Sequence, residues 1–462
     1  MNTMKKLSAV LAGCMALTVF AAGCGKSTGE EELVPNVITS AEGGSSEGAP
    51  AAEGSTAPVE TEVVTDAEGS AVTGVNGDVL TQPVTQETQV PADTLSQEQL
   101  EAIMSSATET KAPEVEHSVA SSERYGYSTR DDDEKALYDA IVGAASTMHF
   151  RIRGTEDVSL EKWTKILGLV YNQEPQLFSL NSKVKVGRIY FNEADVDKIN
   201  AMQAEIDSTV NKLLAEADKV SSTYDKLKVF HDYLVLNSSF ELKEDISGYN
   251  DTIYNAFGHS SSEQGNIQCG GYAKAMQYLC DKAGIECMVI TGNRADGSTH
   301  AWNKVKVNGE WYNLDTTWDD PLFSEPIHDY IRYNFFLVPD EWINEKSHLN
   351  INTRKIGSTG KTVKYFDPPK ATATAENYFV KNGLVYNDFD SADAAMKKAL
   401  DDAANSGGHV AQIMAGSQEV YDKLLDARSS YKKYVMGGHS NVTNLTSNCS
   451  DDMLIIQLDL KY

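Results

Sequence analysis

The sequence predicts an α+β protein whose cysteine-bearing core follows a helix-and-strand extension, is carried on a long acidic N-terminal tether, and precedes a small C-terminal α/β domain. Three observations carry this. Aromatic and branched residues become regular only from about Arg124. Between Tyr224 and Pro339 the apolar spacing reads as two helices followed by three strands. From residue 376 a fresh alternation of helices and strands begins. The boundaries expected from these changes are 1–23 for a signal peptide, 24–123 for the tether, 124–222 for the extension, 223–355 for the core, 356–375 for a linker and 376–462 for the last domain.

The chain opens "MNTMKKLSAVLAGCMALTVFAAGC", with Lys5 and Lys6 before an apolar run from Leu7 to Ala22, the layout of a secretory signal. The ending "FAAGC" resembles a bacterial lipoprotein signal, which implies lipid on Cys24 as the mature terminus. It departs from that pattern in having Ala21 where Leu is usual. "LAGC" at 11–14 fits the box better but leaves too short an apolar core, so Cys24 is preferred over Cys14. An ordinary secretory signal with an incidental cysteine is the plainer alternative. Lipidation would place the protein at the outer face of the bacterial cytoplasmic membrane or on the cell surface, since stable anchoring needs more than one acyl chain.

From Gly25 to Pro113 there is no aromatic residue, and "AEG" recurs at 41, 52 and 67. Such composition cannot bury enough apolar surface to offset ordering entropy, so a disordered tether is expected. A flexible coil of roughly 90 residues would span about 50 Å end to end. Between Lys26 and Thr110 one basic residue faces sixteen acidic ones, a large part of the net charge of -27. That charge argues against nucleic acid or an electrostatic hold on anionic lipid as partners.

In the extension, "DDDEKALYDAIVGAA" reads as an amphipathic helix, "MHFRIRG" as a strand, "SLEKWTKILGLVYNQEPQLFSL" as a helix to Val170, "KVKVGRIYF" as one strand and Glu193–Val220 as a long helix. "TYDKLKVFHDYLVLNSSF" opens the core as a helix, in which adjacent His231 and Asp232 face different ways and read as framing residues rather than metal ligands.

"GNIQCGGYAKAMQYLC" then places Cys269 before Gly270 and Gly271 at a helix start, with Gly284 ending the helix. Most unpaired cysteines are small hydrophobes. At a helix N-terminus, however, free amides favour a thiolate and can stabilise a substrate oxyanion. "IECMVITG" and "HAWNKVKVNG" read as strands, the second starting at His300, and "EWYNLDTTWDDP" returns through an Asn308-Gly309 turn to Asp315. A thiol, a base and a group to orient the base are thus available from one helix start and two neighbouring strands.

These stretches, C-G-G-Y-A-x-A, H-A-W-N-x-V and W-Y-x-L-D-x-T-W-D-D-P, resemble the transglutaminase-like superfamily, whose core is related to papain-like proteases, and in particular its bacterial extracellular lipoprotein members. The resemblance runs from about Tyr224 to Pro339 and implies a transglutaminase-like fold with Cys269 as nucleophile, His300 as general base and Asp315 as the residue orienting it. Gly270 stands where many relatives carry a larger polar residue such as Gln. Gln264, Asn266 and Gln268 are candidates for an oxyanion donor. Gly270, Gly271, Trp302 and Trp318 are expected at the cleft wall.

The implied chemistry is acyl transfer on peptide, protein or cell-wall peptide amides through a thioester, ending on water or an amine. The alternative is an inactive fold used as a surface binding module. No cofactor or metal is expected: there is no CxxC pair, and Asp319-Asp320 before Pro321 is not a calcium loop. Cys280 and Cys287 read as buried free thiols, a disulfide between them being the other option.

In the last domain "YFVKNGLVYNDF" reads as a hairpin turning at Asn382-Gly383, "SADAAMKKALDDAANSG" as a helix opened by Ser391, and "HVAQIMA", "SQEVYDKLLDARSSY" and "DMLIIQLDLKY" as strand, helix and strand. No function follows from it beyond a role in presenting substrate or touching the wall.

Overall fold

The computed structural model describes residues 112–241, 248–258, 265–320, 330–343, 348–356 and 359–462, together with the strand residues 61–63 and 81–83. Residues 40–111 form a unit of their own, in which Thr61–Val63 pairs antiparallel with Thr81–Pro83. Cys24 and the expected signal peptide lie outside the described residues. Among the described residues no helix is long and apolar enough to cross a membrane.

The extension begins with α1 (Asp132–Ser146) and α2 (Leu160–Gln173), each opened by a side-chain cap, Asp131 on the Glu134 amide and Ser159 on the Lys162 amide. "KVKVGRIYF" is a hairpin rather than one strand: β1 (Leu180–Lys185) turns at Gly187, whose φ of 75° suits glycine, into β2 (Arg188–Phe191). "MHFRIRG" forms only a bridge from Arg151 to Arg188. The long helix is α3 (Val196–Ala217), capped by Asp195.

The core is a buried helix against an antiparallel sheet. Helix α4 (Thr223–Asn237) leads, after a short parallel pair between Ser238–Phe240 and Gly265–Ile267, to α5 (Cys269–Ala283). Every residue of α5 from Gly270 to Asp281 is buried, as expected for a helix covered on all sides. Gly284 ends it in the left-handed region at φ 68°. Strands β3 (Cys287–Asn293), β4 (Thr299–Val307), β5 (Glu310–Leu314) and β6 (Phe336–Val338) follow in sheet order β6-β5-β4-β3. The β4–β5 turn has positive φ at both Asn308 and Gly309, 52° and 88°, the left-handed pair that matches strand twist.

The expected tether and linker are shorter than composition suggests. Pro113 is buried, and the Glu114 amide donates to Asn200, so the folded body starts about ten residues before Arg124. Just before the expected linker, β7 (Thr353–Lys355) pairs with β8 (Thr362–Lys364) inside it, and Tyr365 and Phe366 enter the core around Trp163 and Trp302. Aromatic anchors in an otherwise polar stretch were the missed signal.

The C-terminal elements are β9 (Val385–Tyr386), α6 (Phe389–Ser406), β10 (Val410–Ala415), α7 (Gln418–Gly438), β11 (Asn444–Ser447) and β12 (Ile455–Lys461), with sheet order β9-β10-β12-β11. The expected 382–383 hairpin is instead a helical turn, Tyr378–Lys381, leading into β9, which pairs parallel with β10. Asp388, not Ser391, caps α6. This layer has its own core around Tyr421 and Tyr431, yet Phe379, Leu384, Met414 and Ile455 join the main core. Residues 112–462 accordingly fall in one compact unit.

Candidate active site

Helix α5 presents its first residue beside the middle of the sheet. Cys269 is half-buried and packs with Ala273, Val289 and Ala301, the residue after His300. Asn303 on β4 donates its amide to the Ala273 carbonyl at 2.8 Å, tying strand and helix together one turn beyond the thiol. Gln268 at the N-cap supplies no side-chain cap.

Gly270 and Gly271 were expected at the cleft wall. Both are buried. A Cβ on Gly270 would stand 1.5 Å from an Asp251 carboxylate oxygen, and one on Gly271 would stand 2.5 Å from the Asn250 carbonyl. The missing side chains let the 249–252 turn close on the back of the helix start. Below them Lys274 donates to Asp251 at 3.2 Å and lies 3.4 Å over the Tyr171 ring.

His300 lies opposite Gly292 on β3. A Cβ on Gly292 would run into the Trp302 ring at 2.9 Å and the Leu349 carbonyl at 2.6 Å, so this glycine makes room for what stands beside the histidine. His300 Nε2 meets Asp315 Oδ2 at 2.5 Å, with both residues almost fully buried. Cys269 packs against Ala301, next to the histidine, and is near enough to the ring to raise its basicity. With Nε2 donating to the carboxylate, Nδ1 is left as the nitrogen for the thiol. Burial alone would lower the basicity of His300, but Asp315 and Cys269 outweigh it and push the imidazole up to about 10. Burial likewise opposes ionisation of Asp315, and the two histidines beside it reverse that, holding its carboxyl well below the usual range.

Asp315 follows the last residue of β5 and caps the single turn Thr316–Asp319, accepting the Trp318 amide on Oδ1 at 3.1 Å. Its Oδ2 takes a second histidine that sequence reasoning missed: His348 Nε2 at 3.0 Å. His348 is far along the chain in "EKSHLN", with no motif around it. Among the described residues, His300, Asp315 and His348 are the metal-ligating side chains whose donor atoms converge, all within 4.8 Å. The two histidine–carboxylate hydrogen bonds account for that convergence.

Trp302 is buried and stacks behind His300 at 5.9 Å, so it backs the imidazole instead of lining an open wall. Trp318 is half-buried, 5.4 Å from the His300 ring, and its indole N–H has no protein partner. Asn266 is exposed on its short strand, and Gln268 points its amide at the Glu241 carbonyl at 3.5 Å. Gln264 lies outside the described residues. Cys280 and Cys287 are free thiols in contact with each other.

Residues 211–316, which include the thiol, the imidazole and the carboxylate, match the family described as the transglutaminase-like superfamily. They form a transglutaminase-like core. Among curated proteins, the kyphoscoliosis peptidase of Homo sapiens is 28% identical over 134 residues, which is 26% of this chain and 19% of that protein. Its Mus musculus counterpart is 26% identical over 132 residues, again 26% of this chain and 19% of that protein. The chain thus spans about a fifth of these relatives' length. Among solved structures, one described as a TGase is 21% identical, with a TM-score of 0.22, over 26% of this chain and 32% of that one. A putative cysteine protease from Cytophaga hutchinsonii is 20% identical, with a TM-score of 0.18, over 27% and 43%. At such scores the structural likeness carries no argument, and the assignment of the transglutaminase-like core rests on the family match.

Proposed function

We propose that the protein is a cysteine-dependent acyl-transfer enzyme acting on peptide or protein amides. The reading rests on one observation above all: a buried imidazole hydrogen-bonded to the Asp315 carboxylate stands beside the residue against which the Cys269 helix start packs. In the proposed cycle the Cys269 sulfur attacks the amide carbonyl carbon while His300 holds the thiol proton. His300 then gives that proton to the departing amine as the C–N bond breaks, leaving a thioester. Water or a second amine attacks the thioester, passes its proton to His300, and the C–S bond breaks. Amides at the start of α5 are the nearest backbone donors for the oxyanion. The curated relatives named as peptidases favour a peptide or protein substrate. Lipid on Cys24 belongs to the same proposal and would hold the enzyme at a membrane surface, where wall peptides are also within reach.

The test is labelling with an electrophilic peptide. An adduct on Cys269 is expected, absent in Cys269→Ala and strongly reduced in His300→Ala. Correctly folded protein that takes no label would defeat the reading in favour of a binding module. A product assay offering water and a primary amine separately assigns the acceptor, and mass spectrometry of the mature N-terminus checks Cys24.

A further inference from the structure

The acceptor inventory of Asp315 leads beyond the three residues of the proposed cycle. Its Oδ1 takes the Trp318 amide, and its Oδ2 takes both His300 Nε2 and His348 Nε2. Its own amide donates to the Phe335 carbonyl at 3.1 Å. The carboxylate is therefore held by donors from its own turn, from β4 and from the segment after residue 343. His348 has a side-chain exposure of 0%. Its ring is enclosed by Trp302 at 4.5 Å, Trp318 at 5.1 Å, Phe335 at 6.0 Å and His300 at 5.4 Å.

An aromatic box of this kind would be filled at lower cost by Leu or Phe, because a buried polar ring needs its hydrogen bonds to offset desolvation. Nε2 of His348 is spent on Asp315. We infer that His348 is a positioning residue: its Nε2–H locks the Asp315 carboxylate in the rotamer that holds His300 towards Cys269. This rests on the proposed Cys269–His300 chemistry and adds a residue that does not itself touch thiol or substrate. A carboxylate sharing one oxygen between two donors cannot turn that oxygen away from His300 without losing both bonds. With His348 removed, one constraint on that rotation disappears.

The experiment is the rate of alkylation of Cys269 by iodoacetamide, mapped by peptide mass spectrometry so that the other thiols do not contribute. His300→Gln should slow it at least tenfold. His348→Phe, which keeps a ring and removes the donor, should slow it by several-fold or more. His348→Gln, whose side-chain amide can again donate to Asp315, should recover at least half of the loss. Alkylation indifferent to His300→Gln would remove the functional reading and this one with it. Sensitivity to His300→Gln combined with a wild-type rate in His348→Phe would overturn the role of His348 alone. Equal losses in the Phe and Gln variants would reduce His348 to packing and overturn it as well. Nitrogen-15 spectra of histidine-labelled wild-type protein need no variant: Nε2 of His348 is expected to carry a proton, and an unprotonated Nε2 would end the proposal even if the Phe variant fails to fold.

Discussion

Among the described residues, two buried histidine–carboxylate clusters meet at the two ends of one short turn, Thr316–Asp319. In the first, His300 bonds Asp315 and faces Cys269. In the second, His231 on α4 bonds Asp232 at 3.1 Å and Asp319 at 3.2 Å, stacks on Tyr333 and has Phe336 across its edge. Both imidazoles become more basic despite burial, because carboxylates surround them. Only His300 has a half-buried thiol packed against its neighbouring residue, Ala301. His231 spends both nitrogens on carboxylates, while Asp232 also takes Lys228 and Asp319 takes the Phe335 amide. A buried histidine–aspartate pair is therefore a structural clasp by default, and a nucleophile at its open nitrogen makes it a candidate for catalysis. The clasp still serves the site, since it pins α4 to the turn that Asp315 begins.

Parallel substitutions should separate the two. His300→Gln is expected to lower peptide turnover by about 10²–10⁴-fold while leaving the folded protein intact. His231→Gln should instead cost about 3 kcal/mol or more of stability, because it strands two buried carboxylates, with labelling of Cys269 per folded molecule nearly unchanged. Denaturant unfolding alongside peptide turnover reads both, and the clasp interpretation fails if His231→Gln abolishes labelling in folded protein.

Next in size is Gly270→Ala, where the new methyl displaces Asp251. Overpacking of this kind should cost about 1–3 kcal/mol, seen in the midpoint of thermal unfolding, and a neutral outcome would show that the 249–252 turn yields freely.

A last prediction concerns pH. Since folding raises His300 from an ordinary 6.5 to about 10, its charged form stabilises the native state fully below pH 6.5, and that contribution is lost as pH climbs through 10. The gap in unfolding free energy between wild type and His300→Gln should therefore shrink across this window. A gap that widens with pH would contradict the charged imidazole.

Much of the site was legible because its members sit at element ends with local signatures. Cys269 precedes two glycines at a helix start, His300 opens a strand, and Asp315 follows a strand returned by Asn308-Gly309. His348 left no such trace: its partner is 33 residues away and nothing around it repeats. The glycines beside the thiol were legible as small but not as backed by Asp251, since a close approach from another segment has no local mark. Trp302 and Trp318 share one composition and differ only in which side of the imidazole they occupy. The 113–117 and 356–366 stretches looked like tether and linker because they are polar on average, while a few anchors such as Pro113, Tyr365 and Phe366 decide their place.

The sequence by itself determined most of the order of helices and strands, the turn at Asn308-Gly309, and the three residues of the candidate cycle, because these depend on periodicity and on neighbours within a few positions. The tertiary structure alone decided which histidine faces a thiol and which is enclosed, that one aspartate oxygen serves two histidines, and that the last layer shares the main core. Those outcomes depend on hydrogen bonds and packing between segments far apart in the chain, and burial makes each of them matter by removing the water that would otherwise satisfy the same groups.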